Sequence, residues 1–341
     1  MHSLADSLER SPELFPLTWD AAADQVTLIR LSEADYRQAS FLDARILSPR
    51  TPRRLISWQE LAAATGATNL REAENYIFHI GHVGSTLLSR LMGTHPQVFG
   101  SREPAVLRDL AHVHSVQDGS CRSPQTEGRL SVVLKLLSRT FRPEQRAIVK
   151  TTSFVSELAT FILSWVPAAK AIFVFAPAET YLATILGAPN SPREARVLAE
   201  GRLARLHRHM GEPRWNFRTF SEGEMVAMSW ACEMTSLAVA AEVAAERVVW
   251  LEVDALLQAS AEALGSAFRH FGIEANKRQI DDIVSGPELR RYSKAPEHAY
   301  DASLRRDVLD RARREHAEEI SRGLRWLDNA NLPMLARLPL S

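Results

Sequence analysis

Residues 76–96 read YIFHIGHVGSTLLSRLMGTHP, and this stretch decides the fold class. Its first five residues are mostly apolar and predict a buried strand, which ends at Gly81. The residues after GST place leucines and a methionine on one face of a predicted helix that ends near Gly93. The N-terminus of a helix carries unpaired N–H groups and partial positive charge. A strand that runs through a glycine turn into such a helix therefore predicts a site for a phosphate group.

The predicted phosphate loop is a run of six residues: Gly81, His82, Val83, Gly84, Ser85 and Thr86. Glycines let the backbone approach an anion closely, and the two hydroxyls supply further donors. The simpler alternative is an ordinary strand-to-helix turn with Ser85 as its N-cap. The Walker A form GxxxxGK[ST] has a lysine before the hydroxyl residue, and Gly84 stands at that position here. An ATPase or ordinary kinase would need that charge from another part of the chain.

Short apolar runs alternate with helical stretches through most of the remaining chain. The runs lie at residues 76–80, 97–100, 146–150, 171–175 and 247–253. They are rich in Ile, Val and Phe and do not alternate with polar residues, as expected of parallel strands that are covered on both faces. The predicted fold class is α/β: a P-loop-type three-layer α/β/α domain with a central parallel sheet and a mostly helical C-terminal part. We place this domain at residues 71–341 and an N-terminal accessory segment at residues 1–70.

The composition is that of an ordinary globular protein. The 341 residues include 41 basic and 41 acidic ones, so the formal net charge is zero and neither nucleic acid nor a membrane is indicated as a partner. The most apolar stretch, residues 225–245, contains Glu233 and Glu242 and predicts a buried helix. Cys121 and Cys232 have neither a disulfide pattern nor a metal-ligand spacing. With no secretory signal at the N-terminus, we expect a cytoplasmic location.

At the phosphate loop the chain resembles the sulfotransferases that use 3′-phosphoadenosine-5′-phosphosulfate (PAPS), in particular their divergent bacterial members. The blocks that carry the resemblance are IFHIGHVGSTLLSRL from Ile77, SREPAVL from Ser101, VKTTSF from Val149, AIFVFAPAETYLATIL from Ala171, VVWLEVDALL from Val248 and RRYSKAPEHAYD from Arg290. The resemblance implies an enzyme that transfers a sulfonate group from PAPS to a hydroxyl or amine of an acceptor. It implies no metal, and it leaves the acceptor unidentified.

The resemblance also implies roles for single residues. The loop would hold the 5′-phosphosulfate, and Glu103 would be the general base that takes a proton from the acceptor. The alternative for Glu103 is a carboxylate that caps the helix starting at Pro104. His82 stands where the family usually has a basic residue, and it is a cation only as imidazolium. Lys150 follows a predicted strand and should reach the sheet edge where ligands bind, as a second cation for the sulfonate or acceptor.

Two positions depart from the family pattern for the 3′-phosphate. The family usually has an arginine at the end of the fourth strand, where this chain has Phe175 or Ala176. It also has a serine one turn into the next helix, where this chain has Ala183 or Thr184. The candidates for contacts to the nucleotide outside the loop are Thr184, Arg291, Ser293 and Lys294.

Two alternatives to the sulfotransferase stay open at the level of sequence. The first is a Mg²⁺-dependent P-loop phosphotransferase or nucleotide hydrolase, with Asp254 as the acid on the metal side. The second is a catalytically inactive relative that binds a nucleotide, which the departures from the family pattern favour. Arg202, Arg205 and Arg208 share a helical spacing, and such a stripe usually predicts a solvated face.

Overall fold

The computed structural model describes residues 3–116, 124–294, 301–335 and 338. Cys121 lies outside these residues. The strands form a three-stranded antiparallel sheet near the N-terminus and a five-stranded parallel sheet after it. They are β1 (Leu14–Asp20), β2 (Gln25–Arg30), β3 (Arg53–Ser57), β4 (Asn75–His79), β5 (Val98–Arg102), β6 (Arg146–Lys150), β7 (Lys170–Phe175) and β8 (Val248–Glu252).

The parallel sheet has the strand order β5-β6-β4-β7-β8, with β4 at its centre. Every residue of β4 is buried, and so is every residue of β7 after the first. A strand that is buried along its whole length is covered on both faces, which explains its unbroken run of apolar residues. The predicted α/β fold with a central parallel sheet is confirmed. In register, His79 lies beside Val174 and Arg102 beside Lys150, so the carboxyl ends of these strands meet at one edge.

Helices connect the strands and make up most of the chain after β8, as predicted. The α-helices are α1 (Leu4–Arg10), α2 (Glu33–Gln38), α3 (Trp58–Gly66), α4 (Ser85–Gly93), α5 (Ala105–Val116), α6 (Pro124–Leu137), α7 (Ala159–Trp165), α8 (Ala178–Leu186), α9 (Ser191–Met210), α10 (Glu222–Val243), α11 (Val253–Gln258), α12 (Ser260–His270), α13 (Lys277–Ser285), α14 (Ala302–Glu315) and α15 (Ala317–Ala330). Within the described ranges, none of them is long and apolar enough to cross a membrane.

Helix α10 is the buried helix that the apolar stretch at 225–245 predicted. Most of its residues are buried, and α9, α15 and α7 pack around it. The contact with α15 is close: a Cβ atom on Gly223 would lie 1.9 Å from the carbonyl oxygen of Glu319. A Cβ atom on Gly323 would lie 2.6 Å from the carbonyl oxygen of Gly223. Two glycines therefore let the C-terminal helix lie against the backbone of α10.

The N-terminal sheet packs against α5 and α6 and belongs to the same hydrophobic core as the parallel sheet. The guanidinium of Arg102, at the end of β5, donates to the carbonyl oxygens of Arg37 and Ala39 at 2.8 and 2.7 Å. The ring of Tyr36 lies edge-on to that of Phe99, with 4.8 Å between centroids. These contacts fix residues 3–70 against the sheet edge, while the domain boundary at residue 70 stays a prediction.

Candidate functional site

The loop between β4 and α4 has an unusual backbone. Gly81, His82 and Gly84 have φ angles of 91°, 56° and 71°, in the left-handed region that L residues rarely adopt. Gly84 is the N-cap of α4 and makes no side-chain cap bond. The alternative interpretation with Ser85 as the N-cap is wrong, because Ser85 is already the first helical residue. The loop thus turns the chain so that the N–H groups of the first turn of α4 stay unpaired within the helix.

His79, the last residue of β4, holds the start of this loop. Its Nδ1 accepts a hydrogen bond from the N–H of Gly81 at 2.9 Å, and its Nε2 lies 2.8 Å from the carbonyl oxygen of Thr151. Since a carbonyl oxygen only accepts, these partners assign the proton to Nε2 and leave the ring neutral. Burial, with the charge of Lys150 as a smaller cause, lowers the pKa of His79 well below its ordinary value. The His79 side chain therefore links the phosphate loop to the loop that follows β6.

The hydroxyl residues of the loop point to an anion. Ser85 and Thr86 are 4% and 2% exposed. Among the described residues, Oγ1 of Thr86 has no hydrogen-bond partner. A buried hydroxyl without a partner is costly unless a ligand supplies one. Together with the unpaired N–H groups of α4, it forms a donor set that fits the oxygens of a phosphate or sulfonate group.

The loop opens into a cleft of about 430 Å³, called the loop cleft below. Its other walls come from the end of α8, the start of α11, residues 289–294 and α14. The four residues predicted to contact a nucleotide outside the loop all line it, and so does the whole run from His82 to Thr86. Its charged lining residues are the cations Arg291, Lys294, Arg305 and Arg311 and the carboxylates Asp301 and Glu315. A chain of zero net charge thus concentrates positive charge around this loop.

Hydrogen bonds fix the predicted nucleotide contacts to different degrees. The hydroxyl of Thr184 donates to the carbonyl oxygen of Thr180 at 2.7 Å, so its proton is already used. The carbonyl oxygen of Ser293 accepts from Nε of Arg90 at 2.7 Å, and that of Lys294 accepts from the hydroxyl of Ser40 at 3.1 Å. The backbone of this segment is therefore anchored to α4 and to the N-terminal part. Arg291 is exposed at the rim.

A second charged group lies at the same sheet edge. Lys150, the last residue of β6, is fully buried, and its ammonium donates to the carboxylate of Glu103. Burial lowers the pKa of Lys150 to about 8, although the neighbouring Glu103 opposes the shift. Lys150 lines neither this cleft nor the large cavity described next, so the structure places it behind Glu103. The proposed direct contact of Lys150 with a sulfonate or acceptor stays a prediction.

The backbone of Glu103 is strained. It has a φ of 50°, and its N–H donates to the carbonyl oxygen of Lys150 at 2.6 Å. Such a conformation costs of the order of 1 kcal/mol or more in a residue with a side chain, and it is found most often at functional sites. Glu103 directly follows β5 at the sheet edge and lines a cavity.

That cavity, the large cavity below, has a volume of about 1300 Å³ and is lined by Glu103. Four aromatic side chains line it: Trp19 and Phe41 from the N-terminal part, and Phe154 and Tyr181 from the α/β part. His82 and Lys294 line both this cavity and the loop cleft. The two spaces therefore meet at these two residues. A group bound at the loop and a group bound beside Glu103 would approach each other there.

His82 is neutral in this setting. Burial and the nearby charges of Lys294 and Arg202 lower its pKa to about 3. The residue is partly exposed to the cavities, which is consistent with a ligand reaching the ring. The cation at the junction of the two spaces is therefore Lys294, and His82 is an imidazolium only if a bound anion raises its pKa.

The arginine stripe on α9 does not form a solvated face, and that interpretation is wrong for two of its three residues. Arg202 and Arg205 are 6% and 2% exposed, and both pair with the fully buried Glu233, at 3.1 and 2.6 Å. Burial of three charges is tolerated because each has an oppositely charged neighbour. Arg202 also lines the large cavity. A spacing pattern cannot reveal this, since the carboxylate that pairs with the arginines lies on another helix.

Sequence analysis also missed Arg305, on α14, which lines the loop cleft and is 8% exposed. It pairs with Asp254, the residue considered as a metal-side acid. In the described part of the chain there is no group of His, Cys, Asp and Glu side chains arranged to hold a metal ion. Helix α14 contains several arginines, and nothing in the local sequence distinguishes Arg305 from the others.

Comparison with known proteins gives structural neighbours only. No protein-family model matches the chain. No curated protein matches it either. It is similar in structure to a sulfotransferase domain from the curacin biosynthetic pathway, with 12% identity, a TM-score of 0.41, and coverage of 73% of this chain and 99% of that one. It is also similar to a sulfotransferase from Alicyclobacillus acidocaldarius, with 13% identity, a TM-score of 0.36, and coverage of 78% of this chain and 99% of that one. A third neighbour is a mouse sulfotransferase complexed with PAP, with 13% identity, a TM-score of 0.39, and coverage of 84% of this chain and 94% of that one. All three are sulfotransferases. At this identity the likeness concerns the fold alone.

Proposed function

We propose that this chain is a PAPS-dependent sulfotransferase that transfers a sulfonate group to a hydroxyl or amine of an acceptor. The observation that carries the proposal is the meeting of two spaces at His82 and Lys294. One is a cleft at the N-terminus of α4 that is lined by more basic than acidic residues. The other is a large cavity that contains a carboxylate, Glu103, held at the sheet edge. Group transfer from an anionic donor to a neutral nucleophile needs both, side by side.

The donor side is built from the loop and the cleft around it. The N–H groups at the start of α4 and the hydroxyls of Ser85 and Thr86 would hold the 5′-phosphosulfate of PAPS. The unpartnered Oγ1 of Thr86 supports this assignment, because it is a buried donor without another use among the described residues. Thr184, Arg291 and Ser293 would contact the remainder of the nucleotide. When bound, PAPS supplies the sulfonate that is transferred.

The acceptor side is the large cavity. The carboxylate of Glu103 would take the proton of the acceptor hydroxyl as its oxygen forms a bond to sulfur, and PAP (3′-phosphoadenosine-5′-phosphate) would leave with the electron pair of the broken S–O bond. Lys150 would orient that carboxylate from behind, since its ammonium contacts it directly. The ammonium of Lys294, at the junction, would stabilise the negative charge that develops between donor and acceptor.

The N-terminal segment would help to select the acceptor. Trp19 is 4% exposed and forms part of the cavity wall, and the guanidinium of Arg45 lies 3.4 Å from the ring centroid of Phe41 on the same wall. The backbone N–H of Trp19 donates to the carboxylate of Asp109 on α5 at 2.9 Å, which fixes this wall to the α/β domain. A hydroxyl on an extended, partly aromatic scaffold fits such a cavity better than a small polar alcohol.

The test is calorimetric titration with PAP, the desulfated product, and with ADP in the presence and absence of Mg²⁺. Metal-independent binding of PAP in the micromolar range, with much weaker binding of ADP, is the expected result. A preference for ADP with Mg²⁺ would favour the phosphotransferase instead, although Asp254 is engaged by Arg305. PAP binding without transfer to any hydroxyl or amine acceptor would identify an inactive relative.

The role of Glu103 is tested separately with Glu103→Gln. We expect the affinity for PAP to stay within about two-fold of the wild type while turnover falls by about 10²-fold or more. Comparable losses of affinity and turnover would assign Glu103 a structural role.

A further inference from the structure

Arg305 is a buried guanidinium in the loop cleft for which the fold provides one partner. It lies in the first turn of α14 and is 8% exposed. Its Nε donates to Oδ1 of Asp254 at 3.1 Å. Its Nη2 is buried and has no hydrogen-bond partner among the described residues. A buried N–H of a charged group costs free energy unless a partner is supplied, so this nitrogen indicates a ligand rather than a packing contact.

Asp254 fixes the position of Arg305 relative to the phosphate loop. It is the second residue of α11, next to Val253, whose Cγ2 lies 3.0 Å from the position of a Cβ atom on Gly84. The start of α11 therefore packs directly on the turn of the loop. Through the contact with Asp254, the guanidinium is held in the part of the cleft next to this turn.

The other cations of the cleft are placed differently. Arg291 and Arg311 are exposed. The Nζ of Lys294 lies 5.9 Å from the ring centroid of Phe41, on the side of the large cavity. The carboxylate of Asp301, which also lines the cleft, accepts from the N–H of Leu304 and caps α14. Arg305 is thus the buried cation among the described cleft residues, and its guanidinium offers the forked donor geometry that matches a phosphate monoester.

We infer that Arg305, held by Asp254, forms a second anion subsite in the loop cleft that accepts a phosphate monoester. This rests on the proposed function in one respect: in a PAPS-dependent enzyme the group it accepts is the 3′-phosphate of the nucleotide. The first subsite, at the start of α4, takes the 5′ end. Arg305 then replaces the arginine that the family pattern places at the end of β7, where this chain has Phe175 or Ala176.

The experiment compares PAP with adenosine 5′-phosphate, because the two ligands differ only in the 3′-phosphate. Binding to the intact protein is measured by calorimetry for the wild type, Arg305→Gln and Arg311→Gln. We expect Arg305→Gln to weaken PAP binding roughly 10- to 100-fold and to change the affinity for adenosine 5′-phosphate by less than about two-fold. Arg311 lies on the same helix and lines the same cleft but is exposed, so Arg311→Gln is the matched control for loss of one positive charge. It should weaken either ligand by less than about two-fold, because water and salt screen an exposed charge.

The outcomes separate this inference from the proposed function. If the wild type prefers PAP and Arg305→Gln keeps that preference, the subsite is wrong and the sulfotransferase proposal stands. If Arg311→Gln loses the preference as strongly, the effect is general electrostatics and the subsite is again wrong. If the wild type binds neither ligand, or binds both equally, the donor assignment fails as well. Should Arg305→Gln not fold, Arg305→Lys keeps the charge, and it must still lose at least part of the preference for PAP because the forked geometry is gone.

Discussion

The contact between Lys150 and Glu103 makes a quantitative prediction about stability. Lys150 is fully buried, and the side chain of Glu103 is 12% exposed. Burial already lowers the pKa of Lys150 to about 8, and Glu103 keeps it from falling further. The substitution Glu103→Gln removes the carboxylate charge and retains the size and an acceptor oxygen of the side chain. We expect the pKa of Lys150 to drop, so that the amine becomes neutral near pH 7.

The size of the effect follows from the protonation equilibrium. A lysine with a pKa of about 8 is protonated roughly ten to one at pH 7. If the variant leaves the amine neutral, the folded state loses the free energy of that protonation, which is about 1.4 kcal/mol at pH 7. The pKa of Lys150 is lower in the folded than in the unfolded chain, so the unfolded chain binds more protons and stability rises with pH. In the wild type this rise begins near pH 8. In the variant it begins lower, so the two stability curves converge above about pH 9.

Urea unfolding followed by circular dichroism at pH 7 and pH 9, at equal ionic strength, measures the difference. Glu103→Gln should be less stable than the wild type by up to about 1.4 kcal/mol at pH 7 and nearly as stable at pH 9. The control is the same substitution in a Lys150→Met background, where no pH-dependent difference remains because the titrating amine is absent. A loss of equal size at both pH values, or one that grows with pH, would refute the reasoning. Glu103 would then act on stability through contacts of its side chain other than the charge interaction with Lys150.

Three further predictions concern the loop and the helix packing. Burial and neighbouring cations lower the pKa of His82 to about 3, so the ratio of the PAP affinity of the wild type to that of His82→Asn should change by less than about two-fold between pH 6 and pH 8. A ratio that falls as pH rises would show that the ring is protonated in the complex. Gly84→Ala should weaken PAP binding and destabilise the fold, since Gly84 has a φ of 71° and the added Cβ meets Val253. The control Gly211→Ala, with a φ of 76° and open space around it, should cost only about 1 kcal/mol in urea unfolding and leave PAP binding intact. Equal effects of the two substitutions on PAP binding would contradict this. Gly223→Ala should destabilise the protein by about 2 kcal/mol or more, because the added Cβ would overlap the backbone of α15. The control Gly128→Ala, in open space on α6, should stabilise the protein by about 0.5–1 kcal/mol. If Gly223→Ala unfolded thermally at the same temperature as the wild type, the prediction would be wrong.

The fold could be predicted from sequence because its signals are local. The unbroken apolar run of β4 followed by Gly81 and Gly84 reports a strand, a left-handed turn and a helix start within about ten residues. The structure adds the reason for the glycines, which is the positive φ at both positions. The same local signals placed Glu103 and Lys150 at strand ends, and the parallel sheet then brings them together.

The rest of the site depends on contacts between distant parts of the chain. Arg202 and Arg205 look like members of a solvated stripe until the fold places Glu233 against them. Arg305 belongs to an Arg-rich helix, and only its contact with Asp254, 51 positions away, sets it apart. The wall of the large cavity that Trp19 and Phe41 provide is equally invisible in the sequence, because it needs the N-terminal sheet to pack on α5. Pairings of this kind are set by the tertiary structure and leave no spacing pattern.

The sheet edge at the end of β7 explains why a cation for the nucleotide would have to come from another element. Phe175 is 6% exposed and its ring lies edge-on to Trp250, with 5.7 Å between centroids. The carbonyl oxygen of Ala176 accepts the indole N–H of Trp230 at 2.9 Å. An arginine at Phe175 would have to displace the contact with Trp250, and one at Ala176, which is 2% exposed, would have to enter a filled space. A guanidinium that enters the cleft from α14, already paired with Asp254, requires no such displacement. If Arg305 holds the 3′-phosphate as inferred, a Phe175→Arg substitution should therefore not restore PAP binding to Arg305→Gln.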